Sequence, residues 1–176
     1  SNCNDEVTGW LRRRRLDERA FLLRHMEIVT ALALRLPAVP DAALSAPEQR
    51  VEVAAEPGLS LTGWPTMIER AVDNLLRNAQ RFNPPGEPIE LTALREGEHI
   101  EIRVRDHGPG VAEEYLTQLG EPFFRAPGQT AAGHGLGLAI ARRAAERHGG
   151  RLVLGNHPEG GFVATLELPL EPNGSV

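Results

Sequence analysis

Residues 99–105 alternate apolar and charged side chains, and this stretch constrains the fold more than any other part of the chain. Ile100, Ile102 and Val104 occupy every second position, which is the pattern of a β-strand with one buried face. A second strand pattern at residues 89–94 precedes it, and the short connection 95–98 predicts that the two strands pair as a hairpin. The chain is therefore expected to contain an antiparallel sheet.

Helices are predicted on both sides of this hairpin. Apolar residues at helical spacing predict three helices, at residues 5–36, from Pro65 to about Arg81, and at 135–148. Proline ends the first two, and Gly149-Gly150 caps the third. Shorter strand patterns lie at 50–55, 59–61, 152–154 and 162–168. Hairpins interspersed with helices predict an α/β, two-layer sandwich, in which helices cover one face of a mixed, mostly antiparallel sheet.

Composition narrows the possible partners. The 176 residues are 41% hydrophobic, enough for one domain with a core. The net charge of -5 argues against a nucleic-acid surface. No apolar run approaches the ~18 residues that span a bilayer, so no membrane insertion is expected of this piece. Ser1-Asn2 without an initiator Met resembles a cleavage scar, which suggests an excised part of a longer protein.

Glycines 133, 135 and 137 directly precede the third helix, where glycine usually lets a backbone approach a phosphate. Their spacing differs from the G-x-G-x-x-G dinucleotide fingerprint. All 19 basic residues are arginine, so the lysine that a P-loop requires is absent from the sequence. Taken alone, this motif fits a simple Gly-rich turn about as well as a nucleotide site.

Two polar features favour the nucleotide site. Asn74, Asn78 and Arg81 fall on one stripe of the second helix; amide oxygens suit Mg²⁺ and a guanidinium can clamp phosphate. Asp106 continues the inward face of strand 99–105, where a carboxylate needs a partner. An ionised carboxylate only accepts hydrogen bonds, so it favours the adenine amine, and Gly108 and Gly110 allow a flat base to approach.

The irregular stretch 111–132 is long for a connection without regular structure, which is typical of functional or disordered loops. It contains Phe123 and Phe124, whose exposure to water is costly. We interpret it as a lid that anchors on the core through these rings and carries Arg125.

Together these segments resemble the ATP-binding domain of bacterial sensor histidine kinases, in the GHKL superfamily. Four motifs stand in the order and spacing of that family. They are the N box Asn74-Leu-Leu-Arg-Asn78, the G1 box Asp106-His-Gly-Pro-Gly110, the F box Glu121-Pro-Phe-Phe-Arg125 and the G2 box Gly133-His-Gly-Leu-Gly137. The resemblance covers roughly residues 48–170 and implies the Bergerat fold, with ATP and Mg²⁺ as cofactors.

The resemblance also implies roles for single residues. Asp106 would bind the adenine amine and Phe82 would pack on the base, with Thr165 as a secondary contact. Asn78 would ligate Mg²⁺, with Asn74 near the metal and the phosphates. Arg81, shortly after the N box, would contact phosphate, and Arg125 would add positive charge. The G2 box would let the N-terminus of the next helix meet the phosphates, and its nucleotide-binding residues would be Gly133, Gly135, Leu136 and Gly137.

The implied reaction transfers the γ-phosphoryl of ATP to a histidine on the dimerisation domain of the same protein, for relay to a response regulator. The usual acceptor motif is not found, and His25 is only a loose echo of it. We expect residues 1–15 to be a scar and the end of the dimerisation hairpin, 16–170 the ATP-binding domain and 171–176 a tail. The parent would be a homodimeric inner-membrane sensor with this domain in the cytoplasm.

Two alternatives stay open at the level of sequence. One is a GHKL serine kinase that acts as an anti-sigma factor, and the other is a non-catalytic nucleotide-binding module. The remaining histidines follow no metal-ligand spacing and are expected at the surface or in loops. They are His99, His107, His134, His148 and His157.

Overall fold

The computed structural model describes residues 50–128 and 134–170, together with the backbone of residues 26–27. Three helices lie within these ranges: α1 (Pro65–Phe82), α2 (Glu113–Leu116) and α3 (Gly137–Arg147). The strands there are β1 (Met26–Glu27), β2 (Val51–Ala55), β3 (Ser60–Leu61), β4 (Ile89–Glu96), β5 (His99–Arg105), β6 (Arg151–Asn156) and β7 (Phe162–Pro169). Within the described ranges, no helix is both long and apolar enough to cross a bilayer.

Five strands form one sheet in the order β2-β4-β5-β7-β6. The predicted hairpin of β4 and β5 is antiparallel, as are the pairs β5–β7 and β6–β7, whereas β2 pairs with β4 in parallel. Ile100, Ile102 and Leu166 on the inner face are fully buried, and they pack in one core with residues of α1 and α3. The predicted two-layer arrangement, with a mixed sheet and helices on one face, is confirmed.

The predicted first helix is wrong at Met26–Glu27. These two residues form strand β1, which pairs antiparallel with β3. Helical periodicity reports only local preference, and pairing with a distant strand overrides it. The rest of residues 5–36, including His25, lies outside the described residues.

His148 was expected at the surface or in a loop; it lies in the turn after α3, but it is only 1% exposed. Its Nε2 accepts a hydrogen bond from the backbone N–H of Trp64 at 2.9 Å, so Nδ1 carries the proton and donates to the Ala144 carbonyl at 2.7 Å. Burial lowers the pKa of His148, against the raising effect of the bond to Ala144. The neutral ring joins the end of α3 to the start of α1.

Candidate nucleotide-binding site

Asp106 directly follows β5 and is 1% exposed, on the inner face that the alternation predicts. Its Oδ1 accepts hydrogen bonds from the backbone N–H groups of Gly108, at 2.8 Å, and Phe162, at 3.1 Å. Burial raises the pKa of the carboxyl, opposed by these two N–H groups and by the nearby His107 and Arg105. Both of these hydrogen bonds end on the same oxygen, so the carboxylate is held in place through Oδ1.

A cavity of about 280 Å³ opens beside Asp106 between α1, the lid segment and α3. Most of the residues predicted for the site line it. These are Asn74, Asn78, Arg81, Phe82, Asp106, Gly110, Phe124, Arg125, Gly135, Leu136 and Gly137. Four motifs that are far apart in the sequence therefore meet at one cavity.

Two close approaches define the ends of this cavity. A Cβ on Gly108 would lie 2.5 Å from the Phe82 carbonyl oxygen, so the turn after Asp106 packs directly on the C-terminal end of α1. A Cβ on Gly137 would lie 3.2 Å from Asn74 Oδ1, so the start of α3 packs near the middle of the same helix. The carboxylate and the first turn of α3 therefore lie at opposite ends of the polar stripe on α1.

The arginines supply the positive charge of the cavity. Burial lowers the pKa of Arg81, and the neighbouring Arg125 lowers it further. Two guanidinium groups that repel each other beside a cavity favour an anion between them, because it would relieve the repulsion. Arg77 also lines the cavity, although the sequence analysis did not select it. Its position three residues after Asn74 and four before Arg81 places it on the same stripe and was a usable signal.

The lid segment contacts the core with only one of its two phenylalanines. Phe124 is half-buried against the core and lies 6.3 Å, centroid to centroid, from the ring of Tyr115. Phe123 is 73% exposed and has a φ of 66°, so its predicted role as a core anchor is wrong. The two rings are consecutive in a tight turn whose backbone is fixed by Phe123 N–H donating to the Gly135 carbonyl at 3.0 Å. Only one of them reaches the core.

Two further predicted residues, both described, do not line the cavity, and the lining cannot be stated for a third, Gly133. Thr165 is buried, but its register with Arg103 and Val153 places it on the outer face of the sheet, so the expected contact with a base is wrong. The reason is the two-residue period of β7, which turns Ala164 and Leu166 inward instead. Gly108 lies behind Asp106 and outside the lining. Gly133 falls outside the described residues.

Several lining residues were not predicted. Phe162 starts β7 and both donates to Asp106 and lines the cavity. His134 lies inside the G2 box but was given no role there. The others come from the lid and from the beginning of α3: Val111, Leu119, Gly120, Leu138 and Ile140. Aliphatic residues of this kind are hard to separate from ordinary core residues in a sequence.

Curated relatives of the chain are sensor proteins. It is 47% identical over 105 residues to the sensor protein QseC of Salmonella typhi, a match that covers 60% of this chain and 22% of the relative. The chain thus spans less than a quarter of the length of that relative.

Solved structures show the same fold. The ATP binding domain of PrrB from Mycobacterium tuberculosis is 31% identical, with a TM-score of 0.64, and the match covers 83% of this chain and 96% of that one. The mycobacterial sensor histidine kinase MprB is 27% identical, with a TM-score of 0.74 and coverage of 84% and 99%.

The family match covers more than half of the chain and all of the described site. Residues 64–172 match the family described as "Histidine kinase-, DNA gyrase B-, and HSP90-like ATPase". The family prediction made from the four motifs is confirmed. The chain belongs to the histidine kinase-, DNA gyrase B- and HSP90-like ATPases.

Proposed function

We propose that this chain is the ATP-binding catalytic domain of a sensor histidine kinase, and that it transfers the γ-phosphoryl of ATP to a histidine on a separate dimerisation domain. The observation that carries the proposal is the placement of Asp106, 1% exposed, at a cavity that Arg77, Arg81 and Arg125 also line. An acceptor for a base and cations for phosphates thereby meet at one cavity.

Adenine recognition would depend on the second carboxylate oxygen of Asp106. Oδ1 already accepts two backbone N–H groups, which leaves Oδ2 for the exocyclic amine of the base. Guanine presents a carbonyl oxygen at that position, which an ionised carboxylate repels. Phe82, which lines the same cavity, would pack against the base.

Phosphate binding would fall to Arg81, Arg125 and the first turn of α3. The N–H groups of a helix's first turn have no partners within the helix, and they attract anions together with the helix dipole. During transfer, the bond from the γ-phosphorus to the ADP oxygen breaks and a bond to the imidazole nitrogen forms. Such a reaction depends on positioning and on neutralising charge, which are the tasks that the arginines can perform here.

Asn78 is the residue that fits Mg²⁺. It lies half-buried on α1 and lines the cavity beside Arg81. Its amide oxygen is a hard ligand, and Mg²⁺ takes few protein ligands while it keeps waters and phosphate oxygens. When bound, the ion would neutralise part of the charge on the phosphates. Asn74 is less available, because its Nδ2 donates to the Arg70 carbonyl at 2.7 Å and its Oδ1 faces Gly137.

The remaining parts of the proposal concern the parent protein. We infer a homodimeric inner-membrane sensor whose cytoplasmic part contains residues 16–170 as the ATP-binding domain, after a hairpin remnant at 1–15 and before a tail at 171–176. Its partners would be its own phosphoacceptor domain and a response regulator. The names of the relatives, which are sensor proteins and histidine kinases, support this context.

A phosphotransfer assay tests the function. The chain is incubated with Mg²⁺, radiolabelled ATP and a separately produced dimerisation hairpin from the parent, and the labelled residue is identified by its acid lability. We expect acid-labile label on the hairpin histidine. Acid-stable label on serine would favour an anti-sigma kinase, and ATP binding without any transfer would favour a non-catalytic module.

A further inference from the structure

Arg142 on α3 contacts three consecutive residues of the lid segment. Its Nη2 donates to the Leu119 carbonyl at 2.6 Å, and its Nη1 pairs with Glu121 Oε1 at 3.0 Å. Between them, the guanidinium lies against Gly120, where a Cβ would come within 2.8 Å of Nη2. Gly120 has a φ of +87°, so the backbone conformation at this place favours glycine. The guanidinium therefore fixes one short stretch of lid backbone to a helix.

This stretch lies at the cavity and leads directly into the next lid residues that line it. Leu119 and Gly120 line the cavity, and Leu119 is also part of the core. The chain then turns, with Phe124 N–H donating to the Glu121 carbonyl at 3.2 Å, and presents Phe124 and Arg125 to the same cavity. The position of Arg125 thus depends on where residues 119–121 are held.

The same helix also supplies the other wall of the cavity. Gly137 and Leu138, in the first turn of α3, and Ile140 line it. Arg142 follows Gly137 by five residues, about 7.5 Å along the helix axis. Helix α3 therefore connects the Arg142 contact with the lid to its own N-terminal end, which is proposed to meet the phosphates.

We propose that Arg142 is a positioning residue for the nucleotide site: it holds the lid in register with α3, so that Arg125 and the first turn of α3 face the same phosphates. This inference rests on the proposed function. Arg142 itself is absent from the cavity lining among the described residues, so it acts through the lid rather than by touching the nucleotide.

The test compares Arg142→Gln with Arg143→Gln in the full chain. Arg143 is the next residue on α3, is exposed and does not line the cavity, so it controls for lost positive charge. ATP affinity with Mg²⁺ is measured by calorimetry, and hydrogen exchange is followed at the amides of residues 119–125. We expect Arg142→Gln to bind ATP about tenfold more weakly, with faster exchange confined to these amides, and Arg143→Gln to match the wild type.

A second variant separates positioning from folding. Glu121→Gln removes only the ion pair and leaves the bond to Leu119, so we expect a smaller loss of ATP affinity, and in the double variant we expect less than the product of the two losses. If Arg142→Gln does not fold, Glu121→Gln alone decides the question. Wild-type affinity in the folded variants would overturn the inference, whereas no ATP binding by the wild type would overturn the proposed function itself.

Discussion

Asp106 is a carboxylate that the fold buries, with Arg105 and His107 close enough to favour its ionised form. Two backbone N–H groups hold Oδ1, yet burial still raises the pKa of the group. A raised pKa means that the folded state favours the protonated form, so the ionised side chain reduces stability at pH values above its ordinary pKa. The ionised side chain thus lowers the stability of the folded state at the position where the base would bind.

Replacing Asp106 with asparagine is expected to separate binding from stability. The amide oxygen can accept the same two N–H groups, while Nδ2 would face the amine of adenine and repel it. ATP affinity should fall at least tenfold, because hydrogen bonds to charged groups contribute about 1.5–3 kcal/mol. The melting temperature should stay equal or rise by about 2–4 °C, the shift that about 1 kcal/mol produces in a domain of this size. Calorimetry and thermal unfolding measure the two effects; unchanged affinity would place the base elsewhere.

His148 should make stability depend on pH. Its pKa in the folded state is lowered from 6.5, so the unfolded chain takes up a proton first as the pH falls. The stabilising contribution of the neutral His148 should therefore be complete above about pH 6.5. The free energy of unfolding should decrease as the pH falls below that value. Urea unfolding at about pH 7.5 and 5.5 measures the change.

Two variants isolate this contribution from other titrating groups. His148→Gln should show a smaller difference between the two pH values than the wild type, because the titrating group is gone. His99→Gln, at an exposed position of β5, should keep the wild-type difference. Equal pH dependence in all three proteins would contradict the assignment of a neutral, buried His148.

At the scale of elements, the turn between β6 and β7 fixes the carboxylate. The first residue of β7, Phe162, donates to Asp106 Oδ1, and Asp106 N–H donates back to the Phe162 carbonyl at 3.0 Å. Gly161 lies so close that a Cβ there would be 1.9 Å from the Asp106 carbonyl oxygen. The ends of β5 and β7 are thus in contact at the base of the site.

Two adjacent glycines in this turn provide a matched test of that contact. Gly160 and Gly161 have similar φ values, +97° and +93°, but a Cβ on Gly160 meets nothing within 4 Å. Alanine at either position is strained, and at Gly161 it also collides with backbone. We expect Gly161→Ala to cost about 1–3 kcal/mol more than Gly160→Ala, measured by urea unfolding. Equal losses of stability in the two variants would mean that the turn adjusts to the extra methyl group at little energetic cost.

Local patterns in the sequence were sufficient to predict most elements. The alternation in β5, the short hairpin loop and the proline and glycine boundaries depend only on neighbouring residues, and the strands and helices lie close to their predicted bounds. The short helix α2 was missed because its four residues show no helical period. The pairing of Met26–Glu27 with β3 was missed because it joins segments far apart in the chain.

The difference between local patterns and contacts of distant segments also explains the wrong predictions at the site. Asp106 could be assigned to the inner face by counting along β5, whereas Thr165 was placed by resemblance without counting along β7. The choice between Phe123 and Phe124, and the burial of His148, depend on tertiary contacts with Gly135 and Trp64. Such contacts are invisible to local periodicity.

At the scale of the whole molecule, the cavity is lined by segments that lie far apart in the chain. Helix α1, the end of β5, the lid and α3 all contribute to its lining. A ligand that contacts all of them stabilises the folded state over the unfolded state, because the unfolded chain cannot assemble the site. The domain should therefore report nucleotide binding through its melting temperature.

We expect ATP with Mg²⁺ to raise the melting temperature of the full chain. At a concentration about 100 times the dissociation constant, the gain is about 2.7 kcal/mol, or roughly 5–11 °C at this size. GTP should give a markedly smaller shift, because the Asp106 carboxylate would repel the carbonyl oxygen of guanine. ATP with a chelator should also give a smaller shift than ATP with Mg²⁺. Equal shifts with ATP and GTP would argue against base recognition by the carboxylate.

The attachment of Asp106 through a single oxygen also bears on how such a pocket can change over time. The architecture requires only an acceptor at Oδ1, and an asparagine, one nucleotide substitution away in the codon, supplies one equally well. If Asp106 reads the base as proposed, a change of purine preference would therefore need no intermediate that fails to fold.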